Sequence, residues 1–337
     1  MIKIVSGRLL GAIPNVIGVI IVTFLLTRAL PGDPAAYFAG PSATREAIEQ
    51  VRAQLGLDKS LAHQFAGYVK DLARGDLGNS LSTGQPVLAE IRTRLPASLE
   101  LTLCGLLIAL VVAVPLGILA ATRPGSWVDH LCRLVATAGV SLPTFFTGLL
   151  LAYVLYFLLG IAPSPLGRLD VSLPAPADVT GLYLLDSLIA RDLEVFRAAA
   201  AQLALPALTL ALFVMAPIMR MTRASMLGVL SSDFVRTARA FGLSRNKVLI
   251  QYAFRNALLP IVTTLGMVFS FLLGSNVLVE KVFAWPGIGS YVIEALVASD
   301  YAPVQGFVLT MALLYVALNL AIDILYGAID PRVGIEG

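Results

Sequence analysis

Charge is scarce in this chain. Only 13% of its 337 residues are charged and 58% are hydrophobic, whereas soluble globular proteins carry about 25% charged residues. That balance excludes an ordinary soluble domain and points to an integral membrane protein. Cysteine is nearly missing. Cys104 falls in an apolar run and Cys132 beside one, so neither a disulfide framework nor a thiolate metal site is indicated. The two histidines, His63 and His130, are far apart and read as incidental polar residues. No glycine-rich loop ending in Gly-Lys-Ser/Thr is present, so the chain lacks the usual means of binding and hydrolysing ATP by itself. No Gly-x-Ser-x-Gly or His-Glu-x-x-His pattern supports an enzyme. The net charge is +3, but the positive charge is localised, and no stretch reads as a nucleic-acid patch. No internal repeat stands out.

What is present is apolar length. A helical span needs about 20 apolar residues, and six runs qualify, near 9–30, 99–122, 134–160, 203–223, 261–280 and 304–328. The first run has an apolar core longer than the roughly 7–15 residues of a signal sequence, so it reads as an uncleaved anchor. Pro14, Pro115, Pro143 and Pro217 lie within spans, where neighbouring helices can satisfy freed carbonyls.

Orientation follows from lysine and arginine in the short loops. Lys3 and Arg8, then Arg123 and Arg133, then Arg332 fall on one side of a six-span topology. So does the 220–256 region, with seven basic residues against one acid. That side is assigned to the cytoplasm, with both termini. The other side holds a long segment, 31–98, balanced at seven basic and seven acidic residues. Arg45 to Leu55 and Leu61 to Leu72 read as helices there, separated by a Gly56 stop, and GDLGNS at 75–80 reads as a turn. A small extracytoplasmic subdomain is expected between spans one and two. The second outer loop, 161–202, is proline-rich at its start, and Leu182 to Ala201 reads as a helix lying at the surface.

The run 233–260, between spans four and five, does not read like a linker. Arg236, Arg239, Arg245, Lys247 and Arg255 face a single acid, Asp233. Asp233 reads as an N-cap, Gly242 as a C-terminal stop, and Ser244 as the cap of a second helix. A short helix, a glycine bend and another helix make a rigid knob that a soluble partner can grip. Elsewhere, Glu280 and Lys281 read as a charge pair at the membrane edge, with Trp285 in an interfacial belt, or as part of a re-entrant gate. Asp323 reads as a structural hydrogen-bonding group beside Asn319, or as an intramembrane functional carboxylate. Ser270, Ser275 and Asn276 either line a pathway or bond between helices, with Gly266 and Gly274 as close-packing points.

Nine blocks in order then carry a resemblance: RLLGAIP at 8–14, LPGDP at 30–34, LGLDK at 55–59, GDLGNS at 75–80, RLPASLEL at 94–101, SLPTF at 141–145, VEKVFAWPGIG at 279–289, DYAPVQG at 300–306 and DILYGAIDPR at 323–332. The chain resembles the B-type membrane permease subunits of dipeptide and oligopeptide ABC importers, nearly end to end. The resemblance implies an all-α polytopic fold of six transmembrane helices, of ABC importer permease type. It divides the chain into 1–30, an outer subdomain 31–98, a permease core 99–328 that holds a coupling loop 224–260, and a cytoplasmic tail 329–337.

The knob is similar to that family's degenerate Glu-Ala-Ala motif. Arg236, Thr237 and Ala238 take the Glu-Ala-Ala positions, and Gly242 keeps the glycine. Phe254 and Arg255 fall where Leu-Pro is general, and the Glu contact cannot be made. Val-Arg-Thr-Ala-Arg-Ala is the peptide-importer version. The resemblance implies that Asp233, Phe234, Arg236, Thr237, Ala238, Arg239, Phe241 and Gly242 engage ATPase subunits. The phenylalanines would serve as anchors, the arginines would pair with carboxylates, and small side chains would allow close approach. It also implies a second permease subunit, two cytoplasmic ATPases that hold ATP and Mg, an extracytoplasmic binding protein, a bacterial inner-membrane location, and no cofactor on this chain. The same machinery carries nickel complexes or oligosaccharides in some members. A stand-alone secondary transporter is the remaining alternative, and a non-transporting scaffold is weaker still.

Overall fold

A computed structural model describes residues 2–29, 33–40 and 42–329. Among these every regular element is helical. The tail beyond Ile329, with Arg332, lies outside the described residues, as do positions 30–32 of the LPGDP block and 330–332 of the last block.

The first apolar run is α1, Ile2–Ala29, whose described apolar stretch, Ile13–Leu25, is shorter than the four helices able to cross a membrane. Three short outer helices follow: α2 (Pro34–Ala39), α3 (Arg45–Gln54) and α4 (Leu61–Leu72). Thr44 and Ser60 cap α3 and α4 through their hydroxyls, and Gly56 turns between the two at φ +65°. The subdomain is held to the bundle by aromatic and carboxylate contacts. Phe24 of α1 meets Phe65 edge-on at 5.1 Å and stacks with Tyr68 at 5.9 Å. Asp300 accepts from the Ser80 hydroxyl at 2.7 Å and from the Ser82 amide and hydroxyl at 3.0 Å.

The core is built on α5 (Val87–Thr122) and α9 (Leu193–Leu230), the two longest helices. The buried face of α5 is small: Gly105, Ala109, Ala113, Gly117 and Ala120. Small side chains let helix backbones approach closely, which is how membrane helices associate when apolar burial alone gives no preference. A Cβ at Gly117 would lie 2.8 Å from Thr222 Cβ and 2.9 Å from the Met219 carbonyl oxygen, so glycine is required there. The opposite face presents Leu103, Leu107 and Val111 outward, as lipid contact demands. The span α12 (Arg255–Val282) packs on α9, and α14 (Tyr301–Ile329) packs on α1 and α12. The helix α13 (Ile288–Val297) fills the corner between α12 and α14. By length and composition α5, α9, α14 and the rod ending in α12 can cross a membrane.

The third span differs from a single helix over 134–160. The helix entering it, α6 (Trp127–Ser141), begins ahead of the apolar run, and the span restarts as α7 (Thr144–Leu151). Pro143 breaks it rather than being tolerated. Leu142 before it is extended, at φ −105° and ψ 137°, as the pre-proline position requires. A π-helical turn, Ala152–Leu158, closes this span. The helix expected over Leu182 to Ala201 is also split. The short α8 covers Tyr183–Ile189, Arg191 turns at φ +56°, and the Asp192 side chain caps α9 by accepting from the Glu194 and Val195 amides. The second half is thus the N-terminal end of the long helix α9, not a separate surface helix.

Candidate functional site

Between α9 and α12 the chain folds α10 (Asp233–Ala240) and α11 (Arg245–Lys247), and then a π-helical stretch, Val248–Phe254, runs straight into α12. Val235 and Ala238 are buried on one side of α10, against Val248, Leu243, Val229 and Leu230. Gly242 takes φ +73°, where an L side chain is strained. Its amide bonds the Arg239 carbonyl at 2.9 Å and the Leu243 amide bonds the Ala238 carbonyl at 3.3 Å. This is the Schellman termination, with Leu243 packing back on Ala238. The capping differs at the other end. Ser232, not Asp233, sits at the N-cap position and makes no side-chain cap bond. Asp233 is the first helical residue, where the helix dipole favours an acid. Ser244 stands at the cap position of α11, also without a side-chain bond.

The 100° step of an α-helix sorts the side chains of α10. Val235 and Ala238 point into the protein. Asp233, Arg236, Thr237 and Ala240 lie on the crest, where Asp233 and Arg236 pair at 3.3 Å with exposed side chains. Phe234 (43% exposed) and Phe241 (82% exposed) share one flank. Arg239 lies on the other and lines a groove that also takes in Arg245. The structure therefore divides the predicted coupling residues: Phe234, Arg236, Thr237 and Phe241 face outward, and Ala238 is an internal packing residue. Val235, Leu243 and Val248 are as important to the knob's shape. The spacing of Val235 and Ala238 was their only mark in the sequence.

Toward the α10 end of the bundle, Arg223 of α9 grips Asp129 of α6 at 2.6 and 2.8 Å. Asp129 precedes the third span and is buried. The Arg223 guanidinium and the Gly125 amide hold its carboxyl down to about 2. The pair braces the helix that leads into the knob.

The 279–289 block proves to be a latch. Glu280 is buried, and its carboxyl group accepts from the Ser98 hydroxyl of α5 and from the Ser290 amide at 2.8 Å. It thereby caps α13. A Cβ at Gly287 would overlap the Glu280 carboxyl group, and one at Gly289 would lie 2.8 Å from Val277 Cα. Trp285 is 1% exposed, not interfacial, and its indole donates to the Ala97 carbonyl at 2.9 Å. Lys281 does not pair with Glu280. It turns outward to Glu294 at 2.7 Å. Asn276 donates to the Ser98 carbonyl and the Thr102 hydroxyl, so it ties α12 to α5. A buried ion pair that the sequence did not suggest, Arg168–Glu100 at 2.7 Å, fastens the second outer loop beside this latch. Asn276, Glu280 and Trp285 are thus closed inside helix packing. Ser275 bonds the Leu272 carbonyl of its own helix at 3.4 Å.

Ser270 and Asp323 do come together. They line one groove of about 1310 Å3 between α1, α12 and α14, with Asn15, Thr263 and Asn319 as further polar groups. Gly274 borders the same groove, and nothing stands within 4 Å of a Cβ there. Gly266, by contrast, is met by Ile322 of α14 and is a packing point. Among the described residues no cluster of three or more His, Cys, Asp or Glu is placed to hold a metal ion.

A helical bundle with a largely apolar lateral groove that carries a few polar groups, and with a braced, protruding helix between two of its long helices, fits a membrane component of a transporter. Residues 113–335 match the family model of binding-protein-dependent transport system inner membrane components, and residues 1–102 match the N-terminal model of such membrane components. The chain belongs to this family and is a membrane permease component of a transport system, not an enzyme. It is 46% identical over 335 residues to the probable D,D-dipeptide transport system permease protein DdpB of Escherichia coli K12, covering 99% of this chain and 98% of that one. It is 39% identical to the dipeptide transport system permease protein DppB of Alkalihalophilus pseudofirmus and 38% identical to the glutathione transport system permease protein GsiC of Escherichia coli K12, each over 99% of both chains. Among solved structures it shares its fold with a chain of the MetNI methionine ABC transporter in inward-facing conformations, at TM-score 0.50 and 17% identity, over 69% of this chain and 93% of that chain.

Proposed function

We propose that the chain is one of two permease subunits of an ATP-driven importer that carries peptides across the bacterial inner membrane, with both termini in the cytoplasm. A second, homologous permease completes the pathway. Two cytoplasmic ATPases bind ATP and Mg, and an extracytoplasmic binding protein delivers the substrate. The observation that carries the coupling role is α10, an exposed helix locked in shape by Gly242 and presenting Phe234 and Phe241 on one flank. Aromatic side chains of this kind anchor protein interfaces. Closure of the ATPases on ATP would displace α10, and the rod from Arg245 to Val282 would carry that displacement into the bundle. Arg236 on the crest would meet an ATPase carboxylate. Ser270 and Asp323 would line the path where the groove meets the second permease. The peptide class rests on relatives named for dipeptides and for glutathione, a tripeptide.

The test is ATP hydrolysis by the purified complex with its binding protein, challenged with peptides, nickel complexes and oligosaccharides. Stimulation by peptides is expected. A response confined to nickel complexes or sugars would overturn the substrate class. A chain that purifies without any ATPase would overturn the coupling role and favour a stand-alone secondary transporter.

A further inference from the structure

The groove between α1, α12 and α14 follows α14 from residue 307 to residue 326. At 1.5 Å per residue that is about 29 Å, close to the hydrocarbon thickness of a bilayer. Both α14 and the rod ending in α12 are able to cross a membrane, so this lateral groove lies at hydrocarbon depth. Val16, Leu273, Met311 and Leu320 are among its apolar walls. Two carboxamides interrupt them. Asn15 of α1 and Asn319 of α14 are exposed, and among the described residues neither side chain has a hydrogen-bond partner. Ser270 and Tyr326 of the same lining are satisfied, by the Gly266 carbonyl at 3.0 Å and the Thr263 hydroxyl at 2.6 Å. Asn319 lies roughly 8 Å along the axis from the middle of Tyr301–Gly327, inside the half-thickness of about 15 Å. Hydrocarbon offers an amide at that depth no partner, and leaving it without one is costly. Water would satisfy the amides but not the apolar wall around them. The lining also has two gaps, since a Cβ on Gly11 or Gly274 would meet nothing within 4 Å.

We propose that this groove seats one membrane-spanning helix of the second permease. That helix closes onto Gly11 and Gly274 and brings a hydroxyl or carboxamide to Asn15 and Asn319. A helix meets all three features of the groove: apolar walls over the bilayer thickness, room for close backbone approach, and hydrogen-bonding groups that need partners. Small residues together with polar side chains are what join membrane helices. The match holds in partial charge as well as in shape, because each amide offers both donors and an acceptor to the incoming side chain. It rests on the two-permease reading above. It adds the surface by which the pair assembles, and it gives Asn15 and Asn319 to assembly rather than to substrate.

The test uses the complex co-expressed with its second permease and purified by a tag on this chain. Asn15→Leu with Asn319→Leu should lower the retained second permease roughly tenfold, the loss of two interhelical hydrogen bonds. Gly274→Leu should lower it at least as far, and Asn319→Gln should keep most of it. A benzophenone side chain in place of Met267, an exposed residue of the groove, reads the same contact without depending on the folding of those variants. It should cross-link to the second permease, whereas one in place of Leu107, on the outward face of α5, should not. Full retention in the leucine variants with uptake of a labelled dipeptide intact would give the groove to lipid. Full retention with uptake lost would give it to an aqueous path. Either result, or a probe at Met267 that labels only lipid, would overturn the proposal while leaving the two-permease reading in place. A wild-type complex that contains no second permease would sink that reading and the proposal together.

Discussion

Replacing Gly287 with alanine drives a methyl group into the Glu280 carboxyl group. Gly287 has φ −94°, so the backbone tolerates any residue and the whole cost is steric. Glu280 cannot retreat freely, because the Ser98 hydroxyl and the Ser290 amide hold it from opposite elements and the site is closed. Hydrogen bonds of this type contribute about 1–3 kcal/mol each, and a buried group left unsatisfied costs about as much. Stretching one of the two destabilises the outer end of the bundle by about 2–3 kcal/mol, or roughly 5 °C in the melting temperature. The assay is thermal unfolding of the purified protein in detergent. Gly228→Ala is the control. It lies inside α9 with nothing within 4 Å of its Cβ, and alanine there is neutral or stabilising by up to about 1 kcal/mol. The sharper test is a double-variant cycle. Once Glu280→Ala has emptied the space, adding Gly287→Ala should cost less than about 1 kcal/mol. An equal cost in both backgrounds, or a Gly287→Ala protein that melts within about 1 °C of wild type, would refute the latch.

Other expectations follow from the same geometry. Gly117→Val should separate α5 from α9 and cost about 3 kcal/mol or more, since backbone and a β-branched residue leave the new side chain no space; unchanged melting would contradict it. Trp285→Phe removes the indole bond to Ala97 and leaves a buried carbonyl, for a loss of about 1–2 kcal/mol measured in the same assay. Asp129→Asn should cost about 3 kcal/mol near neutral pH, the low end for a buried pair because Arg223 stays 26% exposed. The carboxyl pKa is about 2 folded and about 4 unfolded, so its stabilisation is full above pH ~4 and fades as pH falls toward ~2. The gap between wild type and variant, followed by melting against pH, should close over that window and not above it.

Four long apolar helices and the helix–glycine–helix shape of the knob were legible in the sequence for simple reasons. Bilayer thickness sets the length of an apolar run, and Gly242 followed by Leu243 after a short helical run marks a left-handed helix stop. What could not be read was long-range or sterically coded. Glu280 beside Lys281 looks like an interfacial pair, because its true partner, Ser98, is 182 residues away. The hint was the glycine pair Gly287 and Gly289, which makes room for a carboxyl group rather than for a turn. Asp129 and Arg223, 94 residues apart, gave no local signal. Pro143 reads in the sequence as a tolerated span proline, since sequence alone does not say whether neighbours can satisfy the freed carbonyls. The π-helical turns at Ala152–Leu158 and Val248–Phe254 leave no trace in hydrophobic periodicity.

The central claim is that the phenylalanine flank of α10 is where an ATPase takes hold. Truncating both anchors, Phe234→Ala with Phe241→Ala, leaves the buried side of the helix untouched, so the knob should keep its shape and the chain its melting temperature. The decisive measurement is the amount of ATPase retained on this chain after purification, together with ATP hydrolysis stimulated by the loaded binding protein. Loss of two aromatic anchors at roughly 2 kcal/mol each predicts retention reduced by well over tenfold and stimulation abolished. Full retention and full stimulation in a stably folded variant would contradict the account.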